Sequence, residues 1–322
     1  MAKSTHLAEV IRIKEIKPHP NADKLCIVSV YGYTVCVRIS DFKVGDLAIY
    51  IPPDNIVSDR PEFAFLENHK RIKVKKLRGI ISMGLLIQVP ADLADLKEGD
   101  DAAEKLKITH YEPPLPMSTG GEAEKPPEGY FPHYDVDSYY RYITLFKPGE
   151  LVVGTEKIHG ASSRFVWGPD DRIHVGSRTE WKREDDKNIW WRAAKNSPWL
   201  VEFCKTYPYL CVYGEVYGIQ DLKYGHAGGR VSLAVFDLLR DNEWIPHTEA
   251  RRFGADLKWV PIVYEGPFDE AVLKKLADGK SLIPGADNIR EGIVVKPLVE
   301  RTDPEIGRVQ LKMVSNEYLE RA

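Results

Sequence analysis

Short runs of Val, Ile and Leu, with partial alternation of apolar and polar positions, recur through residues 7–90. Residues 24–30 and 46–51 are examples, and alternation with a period of two is typical of half-buried strands. Turn-forming stretches such as Pro18–Asp23 separate the runs. About five short strands in a segment of this length predict a small closed barrel, and the OB-fold is a common barrel of this kind with a binding face.

A proline- and glycine-rich stretch follows and includes two Pro-Pro pairs. Such a composition cannot continue a helix or a central strand and is typical of a linker. We therefore predict three parts: an OB-fold-like nucleic-acid-binding domain over residues 1–110, a linker over 111–129, and a second domain over 130–322.

The second domain has longer apolar runs and several helix patterns. Residues 164–178 predict a hairpin through a Gly-Pro-Asp-Asp turn. Helices are predicted over residues 189–207 with an interruption at Pro198, over 248–257, over 268–277 and over Asn316–Arg321. Strands dominate the remainder, so the predicted class is α+β with mainly antiparallel strands.

Composition excludes several classes of protein. Hydrophobic residues make up 43% of the 322 residues and charged residues 29%, as in ordinary globular proteins. No apolar run approaches the ~18 residues that a membrane-spanning helix needs, and the beginning of the chain lacks a secretory signal pattern. The four cysteines show no Cys-x-x-Cys spacing, so neither a zinc site nor a disulfide framework is indicated. We therefore expect a cytoplasmic protein without membrane association.

Charge is distributed unevenly although the net charge is only −3. The segment Lys70–Arg78, KRIKVKKLR, carries six cations and no acid. A cationic groove of this kind is suited to following a phosphate backbone. Lysines at an exposed strand edge also protect it from aggregation, and both interpretations stay open at this point.

The stretch Leu151–Ser162, LVVGTEKIHGAS, combines a buried-strand pattern with reactive side chains. The apolar run leads to Lys157, and His159 and Gly160 follow where the strand breaks into a turn. A lysine in a dry, cationic environment can act as a covalent nucleophile, and a glycine turn lets a phosphate approach the backbone. The same residues fit an ordinary strand end with a solvated lysine, so this segment alone leaves both interpretations open.

Further reactive residues lie near the ends of other apolar runs in the second domain. They are Arg178, Glu215, Phe236, Glu291, Lys296 and Lys312. A β scaffold presents side chains to a cleft at such positions. Each has an ordinary alternative, such as a turn acid or a core aromatic residue. Their joint occurrence in one domain favours a shared site.

Six short motifs resemble, in order, those of the covalent nucleotidyltransferase superfamily, which contains polynucleotide ligases and mRNA capping enzymes. They are EKIHG, VGSRT, VYGEVYG, AVFDL, EGIVVKP and QLKMVS, spread over residues 150–315. The histidine of KIHG resembles the nick-sealing type of RNA ligase, since DNA ligases and capping enzymes usually have aspartate there. The preceding barrel-like segment, with PHPNADKL and KLRGIISMGLL, is similar to RNA ligases with an amino-terminal OB domain.

The resemblance implies an α+β fold with an amino-terminal OB-like β-barrel domain and a carboxy-terminal antiparallel-sheet nucleotidyltransferase (ATP-grasp-like ligase) domain. It implies an ATP-dependent RNA ligase that joins 3′-hydroxyl and 5′-phosphate ends, at nicks in duplexes with an RNA 3′-hydroxyl strand. The intermediates would be a lysyl-AMP and an adenylylated 5′ end. ATP would be the co-substrate, Mg²⁺ or Mn²⁺ the metal, and RNA or RNA/DNA duplex ends the partners of an expected monomer.

The resemblance also implies catalytic roles. Lys157 would be the nucleophile, and His159 would act at the nucleotide phosphates. Lys296 and Lys312 would bind the α-phosphate, disfavour the cationic form of Lys157 and stabilise transition-state charge. Glu291 would hold the metal ion directly or through waters.

A second group of residues would bind the nucleotide. Glu156 and Ile158, on either side of the nucleophile, belong to it by their place in the motif. Arg178 would grip a phosphate or the ribose, Glu215 would accept a hydrogen bond from the ribose, and Phe236 would stack on adenine.

The sequence departs from the family pattern at two places, and two other functions are alternatives to RNA ligation. Ala161-Ser162 follows KIHG where Thr-Asn is frequent, and Gln310 replaces a common lysine, so one phosphate-binding cation is missing. A capping-type guanylyltransferase is disfavoured because the barrel precedes the motifs instead of following them. A non-catalytic RNA-binding protein with a degenerate ligase domain is disfavoured because Lys157 and the matching acids and lysines are intact.

Overall fold

The computed structural model describes residues 7–67, 69–111, 121–226 and 230–321. The described residues divide into two compact units: those within 1–113, 138–145 and 319–322 form the first, and those within 114–137 and 146–318 form the second. Residues 138–145 belong to the first unit because the Gly32 amide donates to the Tyr140 carbonyl at 2.8 Å, and the Arg141 guanidinium donates to Glu9 at 3.0 Å. Residues 112–120 of the predicted linker lie outside the described residues.

The first unit is built mainly of short strands. In chain order they are β1 (Glu9–Arg12), β2 (Ile16–Pro18), β3 (Leu25–Val30), β4 (Tyr33–Arg38), β5 (Leu47–Ile51), β6 (Asn55–Ile56), β7 (Lys75–Leu77), β8 (Ile80–Ser82), β9 (Leu85–Gln88) and β10 (Thr109–His110). Helix α1 is Ala103–Leu106, and 3₁₀ turns cover Pro61–Leu66, Ala91–Leu93 and Tyr139–Arg141. Sheets form in the orders β1-β5-β9, β2-β3-β4 and β7-β8, and each pairing is antiparallel.

The alternating pattern explains this unit's core. In the β3–β4 hairpin Val28, Val30, Val35 and Val37 are buried, while Ser29 between the first two is exposed. Alternate residues of a strand point to opposite faces, so one face of the hairpin packs inward. Short antiparallel sheets with one face buried agree with the predicted OB-like domain.

The second unit holds most of the remaining strands. They are β11 (Ala123–Glu124), β12 (Asp137–Ser138), β13 (Leu151–Lys157), β14 (Gly160–Trp167), β15 (Ile173–Ser177), β16 (Trp181–Lys182), β17 (Cys211–Tyr217), β18 (Ser232–Arg240), β19 (Glu243–Trp244), β20 (Ile262–Pro267), β21 (Gly292–Pro297), β22 (Thr302–Asp303), β23 (Gly307–Arg308) and β24 (Leu311–Val314). The helices are α2 (Ile189–Lys195), α3 (Pro198–Thr206), α4 (His247–Phe253) and α5 (Glu270–Ala277). Helix α6 (Asn316–Arg321) begins in this unit, and its residues from Leu319 onward are counted in the first.

Two sheets organise this unit. One has seven strands in the order β11-β16-β15-β14-β17-β18-β19, and the other has five in the order β12-β24-β21-β13-β20. Their main pairings are antiparallel, which confirms the predicted α+β class. The chain passes from the five-stranded to the seven-stranded sheet between Lys157 and Gly160. The KIHG motif is therefore the corner between two sheets.

Local signals set the helix boundaries. The predicted helix over 189–207 is two helices, because α2 ends before Pro198 and proline is favoured in the first turn of the next helix. The Asn188 side chain caps α2 by accepting from the Trp190 and Trp191 amides. Helix α5 begins after Asp269, whose side chain accepts from the Val272 amide. Among the described residues, no helix is long and apolar enough to cross a membrane.

Candidate active site

At the corner between the sheets, the predicted nucleophile lies near a point where β14 and β17 pack closely against each other. Lys157 ends β13 and lies opposite Gly292 of β21. At the start of β14, a Cβ atom on Gly160 would lie 2.3 Å from the Val216 carbonyl oxygen and 2.8 Å from Cγ of Glu215. A larger residue does not fit there without moving backbone. The glycine of the motif thus brings Lys157 and the Glu215 strand together.

Strand register puts the three predicted lysines on one face of the five-stranded sheet. Lys157 and Gly292 are cross-strand partners, Lys296 is opposite Val153, and Lys312 is opposite Val294, which is itself opposite Thr155. These positions are even numbers of residues apart on their strands, and such positions share a face. The three lysines therefore share one face of the sheet.

Lys157, Glu291 and His159 form a compact charged group. Nζ of Lys157 lies 2.5 Å from Oε1 of Glu291, and Nδ1 of His159 lies 3.6 Å from the other carboxylate oxygen. The Glu291 side chain is 12% exposed. Burial alone would raise its pKa, but the charge of Lys157 and the interaction with His159 outweigh burial and lower the pKa to about 2. Glu291 is therefore ionised across the physiological range.

Glu215 approaches this group from the seven-stranded sheet. On β17 it lies between Ser162 of β14 and Ala234 of β18. Burial raises its pKa to about 8; the charges of Lys157 and Arg178 lower the pKa, and that of Glu291 raises it further. Glu215 lies close to the KIHG corner, because its Cγ is 2.8 Å from the position of a Cβ atom on Gly160. Arg178 itself follows β15, with one guanidinium nitrogen 3.7 Å from Asp135.

Ile158 and Phe236 belong to one apolar cluster. Ile158 is buried with Tyr217, Tyr224 and Ala234, and Phe236 packs against this cluster. Phe236 lies at an irregularity of β18, since Val235 pairs with Gly214 and Asp237 with Tyr213. Its ring centroid is 4.4 Å from that of Tyr134.

Glu156, the acid of the EKIHG motif, is deeply buried, with 2% of its surface exposed. Its Oε2 accepts a hydrogen bond from the Leu282 amide at 2.7 Å, while Oε1 is buried and has no hydrogen-bond partner among the described residues. Burial raises its pKa above the ordinary value. A buried oxygen of this kind fits a donor supplied by a ligand.

Lys296 is placed differently from the other two lysines. Its Nζ lies 2.5 Å from Oδ1 of Asp237 and 3.4 Å from the Phe236 carbonyl oxygen. Asp237 also accepts from Arg308, at 2.9 Å, and from the Tyr134 hydroxyl. Both cations hold the pKa of Asp237 well below its ordinary value against the effect of burial. The structure thus joins Lys296 to a buried ion cluster.

Gln310 belongs to the edge of the same ion cluster. Its Nε2 donates to the Asp135 carbonyl at 3.0 Å, and its Oε1 accepts from Arg308 at 3.3 Å. Arg308 also donates to Glu300 at 2.5 Å. The glutamine is therefore bonded to the guanidinium of Arg308 at the position where the family commonly has a lysine. Lys312, two residues on, is partly buried.

Sequence reasoning missed several partners of His159. Its Nε2 lies 2.6 Å from Asp221, its Nδ1 lies 3.1 Å from the Tyr318 hydroxyl, and its amide donates to the Tyr224 hydroxyl at 2.6 Å. None of the three partners belongs to a quoted motif. Only spatial proximity identifies them, since Tyr318 is 159 positions from His159.

A metal ion would use few protein ligands here. Within the described ranges, no group of three or more His, Cys, Asp or Glu side chains is arranged to hold a metal ion. Magnesium commonly keeps several waters and takes one or two carboxylates together with substrate phosphates. The ionised Glu291 fits that pattern.

Comparisons with known proteins identify matching families and confirm the predicted OB-fold. The RNA ligase family model matches residues 150–314, and an OB-fold domain model matches residues 7–89. The chain is similar to the Naegleria gruberi RNA ligase with PPi, at 26% identity over 98% of each chain and a TM-score of 0.83. It is also similar to a variant of that enzyme with ATP and Mn, at 26% identity over 98% of this chain and 99% of that one, with a TM-score of 0.82. No curated protein gives a significant match.

Proposed function

Because the chain belongs to the RNA ligase family, we propose that it joins RNA ends through an adenylate carried on Lys157. Nζ of Lys157 would form a bond to the α-phosphorus of ATP as the bond to pyrophosphate breaks. The AMP would then pass to a 5′-phosphate, and a 3′-hydroxyl would displace it and release AMP. The observation that carries the proposal is the convergence of Lys157, His159, Glu291 and Glu215 at the corner between the sheets.

The nucleotide pocket would be formed around Glu156. The unpartnered Oε1 offers an acceptor for the exocyclic amine of adenine, whereas guanine has a carbonyl oxygen at that position. Ile158 and Phe236 supply apolar surface for the base. This arrangement supports ATP over GTP as the co-substrate.

The ribose and phosphates would lie between Glu215, Arg178 and the lysines. Either protonation state of Glu215 has an oxygen that accepts a hydrogen bond from a ribose hydroxyl. The guanidinium of Arg178 suits a phosphate or the ribose. Lys312, on the same sheet face as Lys157, would bind the α-phosphate, and its charge would favour the neutral, nucleophilic form of Lys157.

Glu291 would hold Mg²⁺ or Mn²⁺ directly or through waters. Its contact with Lys157 stabilises the ammonium form of the lysine, which cannot attack. A metal ion on this carboxylate would offset its negative charge, favour the neutral amine and neutralise phosphate charge. His159, within 3.6 Å of the same carboxylate, would act at the nucleotide phosphates.

RNA would bind partly through the first unit. In the segment Lys70–Arg78, Lys70 pairs with Asp59, and Arg71 pairs with Asp54 at 2.7 Å. Lys73, Lys75 and Arg78 are exposed in or next to the β7–β8 hairpin. Exposed cations on a barrel domain support contact with a phosphate backbone. The substrate we propose is a nicked duplex with an RNA 3′-hydroxyl strand.

The test is a chase experiment. The protein is incubated with [α-³²P]ATP and Mg²⁺, freed of ATP, and mixed with nicked RNA duplexes, with RNA/DNA duplexes or with single strands. We expect label on the protein, its transfer to 5′-phosphate ends, and sealing that is fastest at the nick with an RNA 3′-hydroxyl. Lys157→Ala should abolish labelling, whereas Lys205→Ala, at an exposed lysine of α3, should not. An unlabelled wild type, or labelling that survives Lys157→Ala, would refute the proposal.

A further inference from the structure

The imidazole of His159 is held from two sides by side chains outside the family motifs. Asp221, four residues after β17, lies 2.6 Å from Nε2. The hydroxyl of Tyr318, on α6, lies 3.1 Å from Nδ1, the nitrogen that also faces Glu291 at 3.6 Å. The ring is almost fully buried. Its orientation is therefore set by these contacts and not by solvent.

Asp221 determines which ring nitrogen carries a proton. An ionised carboxylate only accepts hydrogen bonds, so Nε2 must be protonated to bond to Asp221. In the neutral ring Nδ1 is then an acceptor, and the Tyr318 hydroxyl can donate to it. In the charged ring Nδ1 donates, and the same hydroxyl can accept. Tyr318 thus satisfies Nδ1 in both forms.

The position of Tyr318 is itself fixed by a cap. Oδ1 of Asp278 accepts from the Ser315 hydroxyl at 2.8 Å and from the Asn316 amide at 2.7 Å, at the beginning of α6. The Tyr318 amide donates to the Ser315 hydroxyl at 3.2 Å. The tyrosine ring also packs against the apolar cluster that contains Ile158. A defined geometry therefore connects Asp278 to His159 through Tyr318.

We propose that Tyr318 is a positioning residue for nucleotidyl transfer, which acts by keeping the imidazole of His159 turned toward Glu291 and Lys157. This inference rests on the proposed function. Without the hydroxyl, the ring keeps its contacts with Asp221 and Glu291 but loses the hydrogen bond at Nδ1, so it is held less firmly toward the reacting group. The predicted loss is in the rate of lysyl-AMP formation. ATP binding should stay nearly unchanged in Tyr318→Phe, because this variant keeps the aromatic ring that packs against the cluster with Ile158 and removes only the hydroxyl that faces His159.

The test is a double-mutant cycle on the rate of lysyl-AMP formation, measured in single turnover with [α-³²P]ATP. Tyr318→Phe should lower the rate about tenfold in the wild-type background, in line with the loss of one buried hydrogen bond. In the His159→Ala background it should change the rate less than twofold, because a residue that acts through His159 has no effect once His159 is gone. Tyr264→Phe removes a tyrosine hydroxyl that donates to Pro267 at 2.6 Å on β20, and serves as the matched control.

Each outcome decides the inference. A wild-type rate for Tyr318→Phe, or an equal loss in both backgrounds, would overturn it and leave the proposed function standing. An unlabelled wild type would overturn both. If Tyr318→Phe fails to fold, Asp278→Asn takes its place in the double-mutant cycle. This variant weakens the cap of α6 and leaves the Tyr318 side chain unchanged. That variant should also slow the wild-type background and not the His159→Ala background, and an equal effect in both would refute the inference.

Discussion

The ammonium group of Lys157 lies 2.5 Å from the carboxylate of Glu291, although the two residues are 134 positions apart in the chain. They meet because β13 and β21 are neighbours and Lys157 lies opposite Gly292, the residue that follows Glu291. The same register carries Lys312 to the same face of the sheet. Two antiparallel pairings thus bring together Lys157, Glu291 and Lys312 from three separate motifs, the residues that we propose as nucleophile, metal-binding acid and phosphate-binding cation.

Replacing Glu291 should affect both the nucleophile and the metal. Glu291→Gln keeps the size of the side chain and removes its charge, so a metal ion loses its carboxylate ligand. We expect lysyl-AMP formation to fall about 100-fold or more, and the Mn²⁺ concentration for half-maximal rate to rise. Titration of Mn²⁺ with labelled ATP measures both. An unchanged metal dependence would contradict the assignment of Glu291.

Replacing Lys296 should mainly lower the stability of the protein, whereas replacing Lys312 should mainly slow lysyl-AMP formation. Lys296→Met leaves Asp237 buried with one cation fewer, which should lower the free energy of unfolding by about 3 kcal/mol. Lys312→Met should change stability by less than about 1 kcal/mol and slow lysyl-AMP formation about 100-fold. Urea unfolding and single-turnover labelling of both variants separate the two roles. A stable Lys296→Met protein would show that the ion cluster does not depend on this lysine.

Glu156→Gln should change the choice of nucleotide. An amide oriented with its oxygen toward the Leu282 amide would present its NH₂ group where Glu156 presents Oε1. That donor opposes the amine of adenine and suits the carbonyl of guanine. We expect ATP affinity to fall about tenfold and GTP affinity to rise. Calorimetric titration of both nucleotides measures the change, and an unchanged preference would contradict the pocket assignment.

Glu215 should make stability depend on pH. Its folded pKa of about 8 exceeds the ordinary value of 4.5, so its stabilising contribution is complete below pH 4.5 and is lost as the pH rises through 8. Glu215→Gln cannot ionise and escapes this loss. We expect the stability of the variant relative to wild type to increase by roughly 2 kcal/mol between pH 5 and pH 9, with partial exposure of the carboxyl discounted.

Urea unfolding across this pH range measures the difference between the two proteins. Glu202→Gln, at an exposed position of α3, is the control and should show no such trend. A constant difference between wild type and Glu215→Gln would mean that Glu215 has an ordinary pKa.

The exposed cations of the first unit should contribute to RNA sealing and not to lysyl-AMP formation. Lys75→Glu combined with Lys73→Glu reverses charge where RNA phosphates would lie. We expect sealing of nicked RNA to weaken and to lose part of its salt dependence, with lysyl-AMP formation unchanged. Sealing rates between low and high salt test this. Equal sealing by the variant would assign these lysines to protection of a strand edge.

Local signals made much of the fold predictable. The turn residues between short alternating runs indicated the OB-fold, and Pro198 indicated the break between α2 and α3. The ordered motifs located Lys157, Glu215 and Glu291 because those positions depend on short stretches of sequence. The domain limits were predicted from composition alone. Composition does not register the hydrogen bond between the Gly32 amide and the Tyr140 carbonyl, which ties residues 138–145 to the first unit.

Contacts between distant strands were not predictable in this way. The pairing of Lys296 with Asp237 depends on which side chains meet across two sheets, and a lysine in a motif looks the same whether it faces a phosphate or a buried carboxylate. Arg308 and Tyr318 lie outside the motifs, and only the folded chain brings them to Asp237 and His159. Long-range register, unlike turn chemistry, leaves little trace in a single sequence.

The most direct test of the central claim is to locate the AMP on the protein. After reaction with ATP and Mg²⁺, the protein is digested under conditions that preserve a phosphoramidate, and the modified peptide is sequenced by mass spectrometry. We predict one AMP, attached to Nζ of Lys157. AMP on any other residue, or none in a preparation that seals RNA, would contradict the account.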